Sequence, residues 1–222
     1  MFRQAAFFSL ADSRPGNPAD EFASKVSWSA RWNVNLSNGR LQELERIASR
    51  IRRQFKVYLE PKVDILRVVE LKFSTFYPDF RFVVIDDDDQ VFAKNILAFT
   101  QFDPLQIGVR EAIYRLAAND DPRARFVLAH EFGHLILHDL DLGAKLFAGA
   151  RSDFEALEIR FELEANIFAA AFLIPAWKTN CMSAEQISAS FGVTRALAEW
   201  RLKQVGALRA KGPAMRGGCS SQ

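Results

Sequence analysis

The stretch "RFVLAHEFGHLILHD", residues 125–139, constrains this chain more than any other, because it holds all three of its histidines, His130, His134 and His138. Asp121 and Pro122 precede it as a capping side chain and a first-turn proline, which predicts a helix from there to about His138. Four helical residues turn through about 400°, so His130 and His134 leave one face roughly 6 Å apart in height. Two imidazoles placed in this way converge on one ion. Each offers a neutral ring nitrogen at about 2.0–2.1 Å, which zinc accepts, and Glu131 on the adjoining edge reaches a water in an open metal position. That is hydrolase chemistry: the metal lowers the pKa of its water from about 15.7 towards about 7, and the carboxylate collects the proton. An HExxH string also arises by chance in ordinary buried helices. Here the flanks "FVLA" and "LIL" are apolar, and Gly133 suits the close approach of another backbone.

Tetrahedral zinc with an open position needs a third protein ligand. His138 lies about 80° round the helix from His130, too far to share the ion with both others, and is expected to be a hydrogen-bonded histidine near the helix end. A carboxylate must then serve. A second long helix is predicted from Ser152, with Glu155 completing a capping box, up to a stop at Pro175. It carries Glu155, Glu158, Glu162 and Glu164. Glu162 and Glu164 adjoin the apolar run "AANIFAAAFLIP", where an unpartnered carboxylate would be costly. Glu162 shares a face with Asn166, an amide able to orient a histidine, whereas Glu164 points about 200° away and reads as solvent-facing. Glu155 and Glu158 fit a charged helix stripe.

The 222 residues and 49% hydrophobic content allow one sizeable core, and a net charge of +2 from interspersed residues gives no footprint for nucleic acid. Two cysteines, Cys181 and Cys219, do not make a disulfide scaffold, and a reducing cytoplasm is the expected location. The opening "MFRQAAFFSLADS" lacks the long apolar core of an export signal, and no run approaches the roughly 20 apolar residues of a membrane span.

Residues 1–39 read as an irregular arm with Trp28 and Trp32 as anchors. Residues 40–56 form an amphipathic helix whose arginines make a solvated outer face. "PKVDILRVVE" gives a short helix. "FRFVVI" and "VFAKNILAF" read as a hairpin with Asp86–Asp89 as its solvated tip, since these aspartates lack the spacing of a calcium loop. "LQIGV" gives a further strand and "REAIYRLA" a helix. The expected division is an arm (1–39), a metallopeptidase core (40–175), a helical segment (176–210) and a disordered tail (211–222).

With these residues in place, "REAIYRLAANDDPRARFVLAHEFGHLILH" followed by "ELEANIFAAAFLIP" resembles the ImmA/IrrE-type metallopeptidases. The resemblance spans residues 40–210 in order of elements and is motif-rich over 105–175. It implies an α+β, gluzincin-like metallopeptidase core, with a small mixed or antiparallel sheet packed on the HExxH helix and a helical C-terminal part. It also implies His130, His134 and Glu162 as ligands of Zn2+, or of Mn2+, with Glu131 as general base and Asn166 as a polar neighbour. Ala171 and Ile174 depart from the family's acid and Met without touching this chemistry. Members of the family cleave helix-turn-helix repressors and so release stress or mobile-element genes, which implies a protein substrate of that kind, without a membrane or direct nucleic acid as partner. No fused sensor domain is expected. A sheet edge beside the ligand helix could receive an extended peptide, and Tyr114 and His138 are candidate donors to an oxyanion.

One other function has a sequence basis. "SAEQISASFGVTRALAEWRL", with Gly192 in a turn and Arg195 and Arg201 on the following helix, resembles a helix-turn-helix over 183–203 and would make the chain a DNA-binding regulator. Glu199 and Trp200 stand where phosphates would lie.

Overall fold

The structure, a computed structural model, describes residues 36–89, 96–138 and 151–210, the side chains of 151–156 excepted. Trp28, Trp32, Glu155 and the tail 211–222 lie outside the described residues. Helix α1 (Asn38–Gln54) starts at Ser37, whose hydroxyl accepts from the Arg40 amide, and buries Leu44, Ala48 and Ile51 along one stripe. Its arginines are not all on an outer face. Arg52 is 0% exposed, donating from Nη1 to the carbonyl of Phe172 at 2.6 Å and from Nη2 to that of Glu60.

Asp64 caps α2 (Ile65–Arg67), which continues through a π-helical turn (Val68–Lys72) into α3 (Phe73–Phe76). Three strands follow: β1 (Arg81–Ile85), β2 (Ala98–Phe102) and β3 (Leu105–Arg110). Their spatial order is β1-β3-β2, with β1 parallel and β2 antiparallel to β3. The expected hairpin between the first two runs is therefore corrected: β3 lies between them. The tight connection is Asp103-Pro104, which turns β2 directly into β3 so that Phe102 faces Leu105, while the parallel β1–β3 pair needs the long crossover that contains β2. The aspartates do structural work instead of forming a hairpin tip. The Asp87 carboxylate accepts from the Ala112 amide at 3.1 Å, in the first turn of α4 (Glu111–Ala118), and Arg110 donates to the Asp86 carbonyl at 2.6 Å.

Helix α5 (Pro122–His138) is the centre of the molecule, with Asp121 Oδ1 accepting from the amides of Arg123 (2.8 Å) and Ala124 (3.0 Å) as the capping pattern predicts. Its burial runs all the way round because β2 covers one side, α4 another and α6 (Arg151–Leu173) a third. α1 lies along the opposite flank of α6, joined through Leu44, Leu163 and Ile167. The chain then passes a short 3-10 turn (Ala176–Lys178) into α7 (Ala184–Phe191), capped by Ser183 and Gln186, and α8 (Arg195–Ala210). Gly192 between them has φ +61°, a conformation that favours glycine, and its carbonyl accepts from the buried Arg125 of α5. Cys181 is disulfide-bonded, contrary to expectation, and Cys219 lies outside the described residues. Among the described residues, no helix is long and apolar enough to cross a membrane.

Candidate metal centre

The site forms where α5 and α6 press together. Gly133 makes this possible: a Cβ there would stand 3.0 Å from the carbonyl oxygen of Ala165 and 3.1 Å from the ring of Phe168. Beside that contact, His130 and His134 of α5 face Glu162 of α6. The nearest ligand atoms of these three side chains all lie within 4.8 Å of one another. Glu162 spans the two rings, with Oε2 at 3.2 Å from His130 Nε2 and Oε1 at 3.2 Å from His134 Nε2, while the two Nε2 atoms are 3.0 Å apart.

The hydrogen bonds behind the rings decide which atoms are free. Asn166 Oδ1 lies 2.9 Å from His130 Nδ1 and can only accept, so Nδ1 carries a hydrogen and Nε2 is the ring atom turned to Glu162. His134 Nδ1 meets His138 Nδ1 at 3.1 Å. Burial opposes a charge on His130, yet hydrogen bonding and attraction from Glu162 outweigh it and raise its pKa. Burial also works against ionised Glu162, and again the bonds to His130 and His134 prevail, holding its carboxyl well below the usual range. On His134 burial wins, and its pKa falls to about 4. A carboxylate held ionised against two imidazoles, one of them kept neutral, is a pocket that favours positive charge, and its two-nitrogen, one-carboxylate donor set fits a divalent cation.

Glu131 is fully buried beside this group. Its Oε2 accepts from Thr100 Oγ1 of β2 at 2.8 Å, its Oε1 has no hydrogen-bond partner, and burial pushes its carboxyl up to about 7, against the lowering effects of His130 and Thr100. A buried carboxylate oxygen without a partner fits a group that takes up a proton in a reaction. Thr100 is absent from the sequence reading. Its only signal there is a hydroxyl in an otherwise apolar strand run, and that does not say which helix the strand covers.

The other candidates separate. His138 is buried one turn behind His134, with Nδ1 turned to that ligand and Nε2 towards Glu164, so it backs the centre and is not placed to meet an oxyanion. Tyr114 packs its ring 6.2 Å from Phe82, and no hydrogen bond joins it to His130, His134 or Glu162. Glu164 is corrected: it is 1% exposed, not solvent-facing. α1 covers that side of α6, and Arg40 takes both carboxylate oxygens while Arg160 donates to Oε1 at 2.9 Å. Glu158 shows the exposure of a charged stripe. In the helix-turn-helix-like segment, Arg201 is buried, donating to the Ile174 carbonyl at 2.9 Å and forked onto Glu45, and Arg195 is paired with Glu185 and Glu199. The buried Arg201 is not presented to a phosphate, while Arg195 stays exposed between its two carboxylates.

The fold is therefore α+β, a small mixed sheet laid on a helix that brings two histidines to a carboxylate on its neighbour. Residues 90–203 match the IrrE N-terminal-like domain, Peptidase_M78, and the chain belongs to that family. A solved Mycobacterium tuberculosis transcriptional regulator has a similar fold, with a TM-score of 0.51 and 16% identity. The match covers 75% of this chain and 48% of that one, so this chain spans about half its length. No curated protein matches.

Proposed function

We propose that this protein is a zinc-dependent endopeptidase in which His130, His134 and Glu162 hold the metal and Glu131 is the general base. The observation that carries this reading is the convergence of the two Nε2 atoms and the Glu162 carboxylate on one point, beside a buried Glu131 oxygen that has no partner. Zn2+ bound there would polarise the scissile carbonyl and furnish a nucleophilic water at neutral pH. The oxygen in the donor set makes Mn2+ the second candidate. Glu131, with its carboxyl near 7, takes up a proton close to neutrality and returns it to the leaving amine. Asn166 fixes the ring of His130, and Thr100 fixes the carboxylate of Glu131.

β2 is an edge strand among the described residues and carries Thr100, so an extended segment pairing with its outer edge would pass beside Glu131. That geometry suits an unfolded or loop segment of a protein. The family's repressor-cleaving members support a helix-turn-helix repressor as the substrate class. The DNA-binding reading is less favoured, since Arg201 of the second helix is buried and forked onto Glu45.

The test is cleavage of a library of unstructured peptides by the full chain loaded with Zn2+, read by mass spectrometry. Glu131→Gln should lose cleavage by a factor of about 100 or more while keeping its metal. His134→Ala should lose both. Equal cleavage by Glu131→Gln, or full metal occupancy in His134→Ala, would defeat the assignment.

A further inference from the structure

Away from the metal centre, the connection that follows α1 and the 3-10 turn that follows α6 build one exposed patch together. Arg52 pins the connection from inside, donating to the carbonyls of Tyr58 at 3.4 Å and of Glu60, so Tyr58 and Leu59 sit on a fixed backbone. The Tyr58 ring stacks on Trp177 with 4.7 Å between centres and 23° between planes. Arg53 lies over Tyr58, its Cζ 4.7 Å from the ring centre. Lys178 lies 5.0 Å from the centre of a Trp177 ring and donates to the Leu59 carbonyl. Leu59 is 77% exposed and Trp177 42%. Beside them, Arg209 donates to the Ala176 carbonyl at 3.1 Å and to the Asn180 side chain. Among the described residues these three cations meet rings, carbonyls and an amide, not carboxylates. Burial and then repulsion from Arg52 lower the pKa of Lys178, as befits a place short of negative charge. Lys56 and Glu60, both exposed on the connection, offset each other and leave the patch positive.

We propose that Tyr58, Leu59 and Trp177, with the cations Arg53, Lys178 and Arg209, form a docking surface for an acidic segment of another protein that also carries apolar side chains. Leu59 and Trp177 take the apolar groups, and the three cations take the carboxylates. Charge complementarity sets the sign of the partner. Tryptophan, tyrosine and arginine are the residues in which binding energy concentrates at protein interfaces. The ring stack and the Arg52 clamp hold the surface in shape before a partner arrives, which lowers the cost of ordering it. A single-stranded nucleic acid fits less well, because the two rings are stacked on each other and lie under cations, where a base would need an open ring face. From Asn166 to the end of α6 at Leu173 is about 10 Å along the helix axis, and the patch lies beyond that end. It is therefore separate from the metal centre, and the proposal does not rest on the peptidase reading.

The experiment measures fluorescence anisotropy with the full chain and labelled probes: a peptide of glutamate and leucine, the same peptide with lysine for glutamate, the same with serine for leucine, and oligothymidylate. The wild type should bind the glutamate–leucine peptide more tightly than the other three, and binding should weaken as salt rises. Arg53→Gln with Lys178→Gln, which keeps a donor for the Leu59 carbonyl, should lower affinity by about tenfold or more, and so should Trp177→Ser. Should the tryptophan variant fail to fold, Leu59→Ser decides in its place, because that side chain stands in solvent and its loss leaves the backbone bonds intact. Unchanged affinity in the folded variants overturns the proposal. So does equal binding of the glutamate and lysine peptides, or tighter binding of oligothymidylate through the same residues.

Discussion

At the scale of single residues, spacing carried the histidines and Glu131 because they depend on the periodicity of one helix, which holds wherever that helix is. The carboxylates were less legible. Rotation separates Glu162 from Glu164, but it cannot say that α6 is covered on two flanks, so from sequence the acid opposite the site reads as wet, whereas Arg40 of α1 is there to receive it. Thr100 was not visible, because its partner is set by which helix a strand packs on. It also gives the sharpest single-residue expectation. Its hydroxyl donates to Glu131 and so favours the charged form of a carboxyl that burial has pushed up to about 7. A hydrogen bond to a charged group is worth about 1.5–3 kcal/mol. Thr100→Val should therefore raise the Glu131 pKa and move the acidic limb of the rate profile to higher pH by roughly one to two units. The measurement is kcat/KM against pH on the metal-loaded enzyme. An unmoved limb would show that Thr100 does not tune the base.

At the scale of elements, the helices were legible and the sheet was not. Capping residues and apolar period mark α1, α5 and α7 locally, and Gly133 pointed to a close neighbour that proves to be the α6 backbone. Strand pairing depends on which runs meet in space. β1 and β2 are adjacent in sequence and share β-forming composition, yet the buried β3 pairs with both, a result that alternation alone cannot rank. The α5–α6 contact is the element-level property on which the site depends, since it sets the distance between two histidines and one glutamate. Gly133→Ala puts a methyl group 3.0 Å from the Ala165 carbonyl oxygen, so α6 must give by a few tenths of an ångström, and the change should cost about 1–3 kcal/mol. The urea midpoint should fall with an unchanged slope, and Zn2+ affinity should fall with it as Glu162 is pushed away from the rings. A variant with a lower midpoint but wild-type affinity would show that the site tolerates a wider gap between the helices than the structure implies.

At the scale of the whole molecule, α6 is anchored by charges that no local pattern reveals. Arg52 of α1 and Arg201 of α8 both donate to carbonyls at its C-terminal end, and Arg40 of α1 grips Glu164 in its middle. From sequence these arginines read as a solvated face and as candidate phosphate contacts, because a buried guanidinium is defined by acceptors that only the tertiary fold supplies. The Glu164 cluster ties global stability to pH. Its folded carboxyl is held below the ordinary value of about 4.3. A depressed folded pKa means that its contribution is fully present above about 4.3 and is lost as pH falls further, where the unfolded chain takes up a proton that the folded chain resists. Acidification below about pH 4.5 should therefore loosen α1 from α6. Glu164→Gln keeps an acceptor for Arg40 but carries no charge to titrate. It should be less stable than the wild type at pH 7 and should lose less stability between pH 5 and pH 3, so that the two unfolding curves approach each other on the acid side. Denaturant unfolding of both metal-free proteins at several pH values measures this directly. Parallel stability-against-pH curves for the two proteins would mean that the carboxylate clamped between Arg40 and Arg160 is not what couples this fold to acid.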